Sequence, residues 1–420
     1  MVMLQFNDSS ILERKLTKVS HLQIEKTQYN YYRWVIQSIL FFIQIGLGLN
    51  FMAPSPLFLS IMENYEINKG IVGLLISSVT FVMALFLLPG GFLISKIGSK
   101  NSMIVSGSLM SAGLLLPFIN SFVMVVLLRI LFGIGAAISI PTTSAITMEW
   151  FKPKELSIIN GINESGRALG FSLGILLANP IANGVGWSMT LVFYSMVPAF
   201  ATLFWVIGGR TSKTKINETQ TSIQEILPFI FNRNVLLLAI GTIGPLTFFV
   251  GVTSWFPTYY NEFKDMTLAE AGSIVSILPL VNAVFNPISG VILSKFNSRK
   301  LLLIASGLVL PMFAFGSIFA ASEIILIICF AGIGIFMSLF IVSIITIPME
   351  LPNVTASKVG IVTAVILTTG NFASVISPIF IGTFTDYTGS YIPALVIIAL
   401  MPITLFIPGL FLRTSNSKNV

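Results

Sequence analysis

The sequence has few of the residues on which most enzymes and metal sites depend. It contains one cysteine, Cys329, and one histidine, His21. A single cysteine excludes a disulfide within the chain, and a single histidine excludes a histidine metal cluster. No G-x-x-x-x-G-K-[ST] phosphate loop is present, so nothing in the sequence indicates that the chain hydrolyses ATP. We therefore expect neither an enzyme nor a bound cofactor or metal.

Charge is scarce as well. Charged residues make up 9% of the chain, whereas soluble proteins carry about 25%. Hydrophobic residues make up 55%, and the mean hydropathy is +0.92. So few charged side chains cannot cover the surface of a soluble protein of 420 residues. The composition predicts a protein of the lipid bilayer, and the net charge of +7 is then a sign of membrane orientation and not of nucleic-acid binding.

Long apolar runs alternate with short connectors that contain charge, Pro, Gly or Asn. Because about 20 apolar residues cross a bilayer, the pattern predicts an all-α membrane protein with twelve transmembrane helices. The predicted spans are 34–60, 70–95, 101–119, 121–149, 156–180, 188–209, 234–260, 268–294, 299–320, 323–349, 358–383 and 389–412.

The longest polar interruption, 210–233, falls after the sixth predicted span. It divides the chain into an N-terminal six-helix bundle, 34–209, and a C-terminal one, 234–412. The first 33 residues are polar and lack the apolar core of a signal peptide. We expect cytoplasmic tails at 1–33 and 413–420.

Basic residues are distributed unevenly between the two predicted membrane faces. With the N-terminus in the cytoplasm, nineteen Lys and Arg residues lie on the inner side, and only Lys69 and Lys264 lie outside. Basic residues in short loops resist translocation, so we expect a plasma-membrane protein with both termini in the cytoplasm. The tryptophans fall near predicted span ends, as is typical of the headgroup layer: Trp34, Trp150, Trp187, Trp205 and Trp255.

One short segment occurs twice. Gly-Phe-Leu-Ile-Ser-Lys at 91–96 returns as Gly-Val-Ile-Leu-Ser-Lys at 290–295, which is an offset of 199 positions. The same offset relates further pairs: Gly73 and Gly272, Gly133 and Gly332, Gly135 and Gly334, and Gly161 and Gly360. With small slips, Met148-Glu149 returns as Met349-Glu350 and Pro180 as Pro378. We interpret this register as two parallel halves related by an axis along the membrane normal, as in many secondary transporters.

The sequence resembles the major facilitator superfamily from Trp34 to about Arg413. Residues 91–100 are similar to its G-x-L-a-D-r-x-G-r-k signature, and 129–137 to its R-x-x-x-G-x-G-a-a signature. The fifth span is glycine-rich, as in the superfamily's exporters, but lacks their Gly-Pro core. Pro378-Ile-Phe-Ile-Gly382, followed by Asp386, resembles the end of the eleventh span. The resemblance implies a monomeric transporter that works by alternating access, as a symporter or an antiporter.

The signature departs from the superfamily at its acidic position, which is Ser95 here and Ser294 in the second copy. An aspartate there would cap a neighbouring helix and help to hold the outward-facing state. If the chain has a cytoplasmic latch, other residues must form it. We predict that Glu149 pairs with Lys100 or a close basic neighbour, and Glu350 with Arg299 or Lys300. The remaining gating candidates come from the repeated segment itself: Gly91, Lys96, Gly290 and Lys295.

Three charged residues lie deep within predicted spans. Arg129 in span four costs about 3 kcal/mol or more if it is unpaired, so it faces a wet cavity, a carboxylate or backbone carbonyls. Glu164 and Arg167 are three residues apart in span five and can pair along one helix face. Such a pair is either a self-compensated strut or a functional site. Glu164 is the default proton-binding residue, and the excess positive charge favours an anionic substrate.

Neutral polar residues offer a further lining. Spans one, four, seven and ten usually line the pathway in the superfamily, so Gln44 and Asn50 join Arg129 as preferred substrate contacts. Asn282 in span eight and Asn371 in span eleven are further candidates. A polar residue of this kind, taken alone, more often forms a hydrogen bond between helices than a contact with substrate.

The leading hypothesis is a secondary transporter of a small organic anion, coupled to protons. One alternative is a proton-driven exporter of hydrophobic or cationic compounds, which the glycine-rich fifth span and the 35 phenylalanines favour. An alternative of another class is a sensor that keeps the fold without transporting. We expect the partners to be the substrate, protons and the bilayer, and we expect no nucleic acid.

Overall fold

The computed structural model describes residues 31–152, 155–210, 231–295, 299–347 and 356–412. Within these ranges the chain is almost entirely helical and contains no β-strand. Eleven helical stretches are long and apolar enough to cross a membrane. They are α1 (Tyr31–Tyr65), α2 (Lys69–Ile94), α3 (Lys96–Phe118), α4 (Phe122–Trp150), Ile158–Gly208, α7 (Arg233–Phe263), α8 (Leu268–Leu293), α9 (Arg299–Phe319), α10 (Glu323–Ile345), α11 (Val365–Thr388) and α12 (Ile392–Phe411).

The stretch Ile158–Gly208 contains two spans. Its 51 residues would make a straight helix of about 75 Å, more than twice the bilayer's hydrocarbon thickness of about 30 Å. Gly186 has a φ of 81°, in the left-handed region that glycine adopts without strain. The chain reverses there into α5 (158–185) and α6 (187–208). The twelve predicted spans are thereby accounted for in the described part of the chain.

The predicted connector between the second and third spans is also helical. The helix runs from Leu74 to Met110, and Gly98, with a φ of 81°, is the residue inside it that leaves the helical region. Gly98 therefore lies inside the predicted connector, 96–100, and the other connector residues are helical. Lysine is a good helix former, so basic residues at a membrane surface do not end a helix, and the reversal falls on the glycine.

The two halves repeat one another in their packing. Gly73 in α2 lies against the carbonyl group of Pro378 in α11, and Gly272 in α8 lies against the carbonyl oxygen of Ile175 in α5. A methyl group added at either glycine would come within about 3 Å of that carbonyl oxygen. Each repeated glycine therefore permits a close crossing between the N-terminal and the C-terminal half.

The repeat register changes between α2 and α4. Gly133 packs against Val82 of α2, and Gly334 packs against Val281 of α8. The valines are 199 positions apart, but the glycines are 201 apart. The predicted pairing of Gly133 with Gly332 is therefore wrong by two residues. The offset of 201 is the one that relates Met148-Glu149 to Met349-Glu350.

This register changes the counterpart of Arg129. At an offset of 201 it is Phe330, which is fully buried, and not Ile328, which is 55% exposed. Phe330 packs edge-on against the ring of Phe256, with 5.7 Å between the ring centroids. The position is therefore internal in both halves, with a cation in one half and an aromatic ring in the other.

The glycines of α5 face α1. Gly170 lies against the carbonyl oxygen of Ile45, and a methyl group added at Gly174 would lie 2.6 Å from the carbonyl oxygen of Leu49. Gly48 of α1 lies in turn against the carbonyl oxygen of Arg167. The contact lies within the N-terminal half, where small residues let two backbones approach closely.

Helix α8 contacts a different side of α5. The Ser172 hydroxyl donates to the carbonyl oxygen of Ser276 at 3.0 Å, and the Asn179 amide donates to that of Leu268 at 3.2 Å. Helix α5 thus packs on α1 through its glycines and on α8 through small and polar side chains. Both contacts fix the orientation of the charged residues that α5 carries.

Candidate functional site

The helix ends lie on two faces of the bundle. We call one the basic face; it carries the ends near residues 33, 96, 152, 210 and 299. The other carries the ends near residues 66, 120, 186, 265 and 389, and we call it the sealed face because the two halves are closely joined there. On the basic face the Arg33 guanidinium pairs with Glu155 at 3.0 Å. A backbone hydrogen bond from Lys152 and the Arg33 charge lower the pKa of Glu155.

At the sealed face, Lys69, Glu262, Asp386 and Tyr391 join the two halves, and we call them the latch. The Asp386 carboxylate accepts hydrogen bonds from the backbone N–H groups of Gly70 at 2.8 Å and of Lys69 at 3.3 Å. The Lys69 ammonium pairs with Glu262 and lies 4.6 Å from the centre of the Tyr391 ring. Burial, with the nearby Glu262 carboxylate, raises the pKa of Tyr391, which stays neutral.

A second layer of contacts between the halves lies deeper in the membrane than the latch. The Ser55 hydroxyl of α1 donates to the carbonyl oxygens of Thr253 at 2.6 Å and of Ser254 at 2.8 Å in α7. Because Ser55 and Ser254 are 199 positions apart, α1 and α7 meet here close to the axis that relates the halves. The rings of Phe58 and Trp255 pack beside this contact, with 5.1 Å between their centroids.

A third layer consists of three phenylalanine rings, and we call it the aromatic layer. Phe171 of α5 lies 5.6 Å from Phe51 of α1 and 5.9 Å from Phe249 of α7, measured between ring centroids. Phe51 and Phe249 each lie about one helical turn from the Ser55 contacts, on the side of the basic face. The aromatic layer is therefore nearer to the basic face than the other two layers of this seal.

Glu164 and Arg167 lie on the basic-face side of the aromatic layer. The Arg167 guanidinium pairs with the Glu164 carboxylate along α5, and their side chains are 19% and 34% exposed, respectively. Phe171 follows Arg167 by four residues and Glu164 by seven, so all three share one stripe of the helix. Because Phe171 contacts Phe249 of the other half, this stripe is directed toward the C-terminal half.

Arg129 has a different environment. Its Nε donates to the carbonyl oxygen of Leu75 at 2.9 Å, Nη1 to that of Asn50 at 2.7 Å, and Nη2 to that of Phe51 at 3.0 Å. The side chain is buried, and its guanidinium lies 5.0 Å from the centre of the Phe132 ring. The adjoining void of about 20 Å³ has room for about one water molecule. The guanidinium thus joins α4 to α1 and α2.

The predicted polar contacts on α1 are also engaged inside the N-terminal half. The Gln44 amide donates to the hydroxyl groups of Thr143 at 2.8 Å and of Ser139 at 3.4 Å. The Asn50 amide donates to the carbonyl oxygens of Gly46 and Tyr194, both at 2.9 Å. Both side chains are buried, so they join helices in this conformation.

In the C-terminal half, Asn282 accepts a hydrogen bond from the Ser338 hydroxyl at 2.5 Å, which joins α8 to α10. Asn371 is partly exposed in α11. It lies one turn from Val375, whose carbonyl oxygen accepts a hydrogen bond from the α2 residue Ser77 at 2.6 Å. Asn371 is therefore near the boundary between the two halves, whereas Asn282 is inside one half.

The predicted gating residues lie toward the basic face. Glu149 is half-buried, Lys96 is exposed, and the carbonyl oxygen of Lys100 accepts a hydrogen bond from the Trp205 indole at 3.1 Å. The Arg299 guanidinium donates to the carbonyl oxygen of Leu293. The other candidates are the partly exposed Gly91, the exposed Gly290, the partly exposed Lys300, and Lys295, which lies two residues beyond the end of α8 and is still helical. Glu350 lies outside the described residues, and both predicted ion pairs remain predictions.

The sequence interpretation missed the latch and the aromatic layer. Lys69 was noted as one of two basic residues on its predicted face, and Asp386 as part of a family pattern. The contact between them depends on bringing together residues that are 317 positions apart. Phe171 had no sequence signal that separates it from the other phenylalanines.

A family model described as Major Facilitator Superfamily matches residues 40–378, and a second match covers 265–420. The chain belongs to this superfamily. Superfamily members are transporters and not enzymes, and this member is a secondary transporter embedded in the lipid bilayer, where it binds a small-molecule substrate. The fold has a close structural counterpart in a bacterial homologue of the human lysosomal transporter Spinster, in an inward-facing and unoccupied conformation. The TM-score is 0.68 at 14% identity, over 91% of this chain and 95% of that one.

Curated relatives of this superfamily member include transporters named for anions. The hexuronate transporter of Bacillus subtilis (strain 168) is 24% identical over 84% of this chain and 88% of the relative. The probable galactarate/D-glucarate transporter GudP of the same organism is 24% identical over 87% and 88%. The probable nitrate transporter NarT of Staphylococcus haemolyticus (strain JCSC1435) is 23% identical over 86% and 93%.

Proposed function

We propose that this superfamily member carries a small organic anion together with protons, by alternating access. The observation that carries the proposal is the Glu164–Arg167 pair, which is partly exposed on the stripe of α5 directed toward the C-terminal half. Ionisable residues within spans are costly and mark transport pathways. The relatives named for hexuronate, galactarate and D-glucarate support an anionic substrate.

Arg167 is the proposed anion-binding residue, and Arg129 is a structural one. Arg129 already donates to three backbone carbonyls, and the void beside it is too small for an organic anion. Arg167 has one carboxylate partner, and that partner can be neutralised by a proton. The sequence hypothesis placed substrate binding at Arg129 of α4, whereas this proposal places it at Arg167 of α5.

The ion pair offers a direct route to coupling. When Glu164 is ionised, its carboxylate pairs with the Arg167 guanidinium and competes with an incoming anion. Protonation of Glu164 removes that competitor and leaves the Arg167 guanidinium to bind the substrate carboxylate. Proton and anion are then carried together, and loss of the proton restores the internal pair and displaces the anion.

The orientation follows from charge. Basic residues accumulate on the cytoplasmic side, so the basic face is cytoplasmic and the sealed face is external. The structure is then inward-facing, with the latch, the Ser55 layer and the aromatic layer closing the outer side. Because Ser95 and Ser294 lack the carboxylates that would cap helices on the inner side, the Asp386 cap on the outer side favours the inward-facing state.

Removal of the Asp386 cap should shift this equilibrium. Loss of a helix cap costs about 0.5–2 kcal/mol, so Asp386→Ala should raise the outward-open population about fivefold. The measurement is the labelling rate of a Ser254→Cys reporter by a membrane-impermeant maleimide added from outside. Glu63→Ala, which removes an exposed carboxylate from the same face, should leave the rate unchanged. Equal rates in both variants would contradict the role given to the latch.

Transport assays test the proposed function. In proteoliposomes that contain the full-length protein, labelled benzoate and galacturonate serve as the two anion probes. If one proton accompanies each monovalent anion, a gradient of one pH unit sustains about tenfold accumulation, which a protonophore abolishes. Neutral benzoic acid also crosses a bilayer unaided, so transport is the initial rate of uptake above that of protein-free liposomes. If neither probe is taken up, and dye efflux driven by a proton gradient collapses on addition of the protonophore, the chain is a drug exporter instead. Ligand binding without flux would identify a sensor.

A further inference from the structure

We infer that the transported anion has an apolar, planar body, which binds against the aromatic layer while its carboxylate binds Arg167. The inference rests on the proposed function, and it adds the substrate class. It assigns specificity to Phe51, Phe171 and Phe249, none of which the charge pattern identifies.

The positions of the rings support this assignment. The aromatic layer is the layer of the seal nearest the basic face, so in the proposed inward-facing state it forms the ceiling of the substrate pathway. Phe51 is 6% exposed and Phe249 is 8% exposed, whereas Phe171 is only partly buried. The accessible part of this ceiling is therefore contributed mainly by Phe171.

The spacing along α5 sets the size of the ligand. Phe171 follows Arg167 by four residues, and a helix rises 1.5 Å per residue, so the two side chains start about 6 Å apart along the axis. A carboxylate held by Arg167 leaves room for a body of about one six-membered ring before the ceiling is reached. The two groups thus recognise the two ends of one small molecule.

The chemistry of the ceiling selects the kind of ring. Phenylalanine side chains cannot hydrogen-bond to hydroxyl groups, and a polar group moved out of water without a partner is penalised. An aromatic body instead gains offset or edge-on contacts with the rings. The Gln44 amide of α1 already donates to Thr143 and Ser139. A polyhydroxylated anion, such as a hexuronate, therefore finds few partners here, in contrast to what the relatives' names indicate.

The test compares two monovalent carboxylates that each carry a six-membered ring, benzoate and galacturonate, in the same proteoliposomes. We expect a half-saturating concentration for benzoate that is at least about tenfold lower. Phe171→Leu should raise the half-saturating concentration of benzoate about fivefold, because it removes ring contacts and keeps an apolar side chain. Phe200→Leu is the matched control, since Phe200 is 58% exposed on α6 and should have no effect.

The outcomes separate this inference from the proposed function. Uptake of galacturonate with equal or higher affinity than benzoate would overturn the inference and leave anion transport standing. Uptake of neither anion would overturn the proposed function. An equal effect of Phe171→Leu and Phe200→Leu on benzoate would show that the ceiling does not contact the ligand. If Phe171→Leu does not reconstitute, the comparison of the two anions on the unaltered protein decides the question.

Discussion

The Glu164→Gln variant should lose gradient-driven accumulation of the anion and keep its ability to bind and exchange it. Glutamine has the shape of glutamate but cannot take up and release a proton. The initial rate of uptake driven by a gradient of one pH unit should fall to that of protein-free liposomes. Anion exchange without a gradient should persist, because on the proposed mechanism Arg167 still binds the anion and no longer has a charged competitor.

Binding of the anion should change in a way that a purely structural role does not predict. On the proposed mechanism, affinity in the unaltered protein should fall as pH rises, because the ionised Glu164 carboxylate would compete for Arg167. In Glu164→Gln the competitor is absent, so affinity should be as high at alkaline pH as at acidic pH. Arg167→Gln should remove binding at every pH. The measurement is equilibrium binding of labelled benzoate to purified protein across a pH series.

A matched control is available on the sealed face. Glu63 is exposed there, so Glu63→Gln makes the same chemical change without touching the pathway and should keep both the initial rate of gradient-driven uptake and the pH profile. If Glu164→Gln still takes up the anion under the gradient faster than protein-free liposomes do, the proton is carried elsewhere and the role of the pair in coupling is wrong.

The Glu164–Arg167 pair could be predicted because its information is local. A spacing of three residues on a helix places two side chains on one face, whatever the rest of the fold does. The twelve spans were predictable for a similar reason, since each depends on the composition of about 20 consecutive residues. The reversal at Gly98 falls inside the predicted connector, 96–100, but local reasoning did not predict that the residues on either side of it are helical.

Contacts between distant parts of the chain could not be predicted in this way. The acceptors of Arg129 are backbone carbonyls, which every residue possesses, so no side chain in the sequence marks them. The latch requires α2, α7 and α11 to meet. Trp255 shows the same limit: its position near a span end predicted a headgroup location, but it is fully buried and its indole donates to the Pro378 carbonyl oxygen at 2.8 Å.

The register of the repeat was predictable only in part. A single offset of 199 positions matched many glycines, and it is correct for Gly73 and Gly272 in the described structure. A span contains several glycines, so a slip of two residues still pairs glycine with glycine. The packing of Gly133 and Gly334 on equivalent valines shows the slip, and it replaces Ile328 by Phe330 as the counterpart of Arg129.

Arg129→Leu should destabilise the protein strongly and leave the affinity of the remaining folded molecules for the anion unchanged. The substitution leaves the carbonyl oxygens of Asn50, Phe51 and Leu75 without the three donors that they have now. Hydrogen bonds to a charged group contribute about 1.5–3 kcal/mol each. Replacing the buried arginine also avoids the cost of about 3 kcal/mol of placing its charge within the membrane. The expected net loss is therefore about 3 kcal/mol.

Thermal unfolding in detergent measures this loss, and we expect the midpoint to fall by about 5 °C. The unfolding midpoint of Arg129→Lys should lie between those of the unaltered protein and Arg129→Leu, because one ammonium cannot reach three carbonyls that are spread over α1 and α2. Arg210→Leu changes an exposed arginine near the basic face and serves as the control with a small effect. Benzoate binding, normalised to folded protein, distinguishes a structural role from a binding role. A normal unfolding midpoint combined with a large loss of affinity would show that the Arg129 guanidinium leaves its carbonyl partners to bind substrate in another state of the transport cycle.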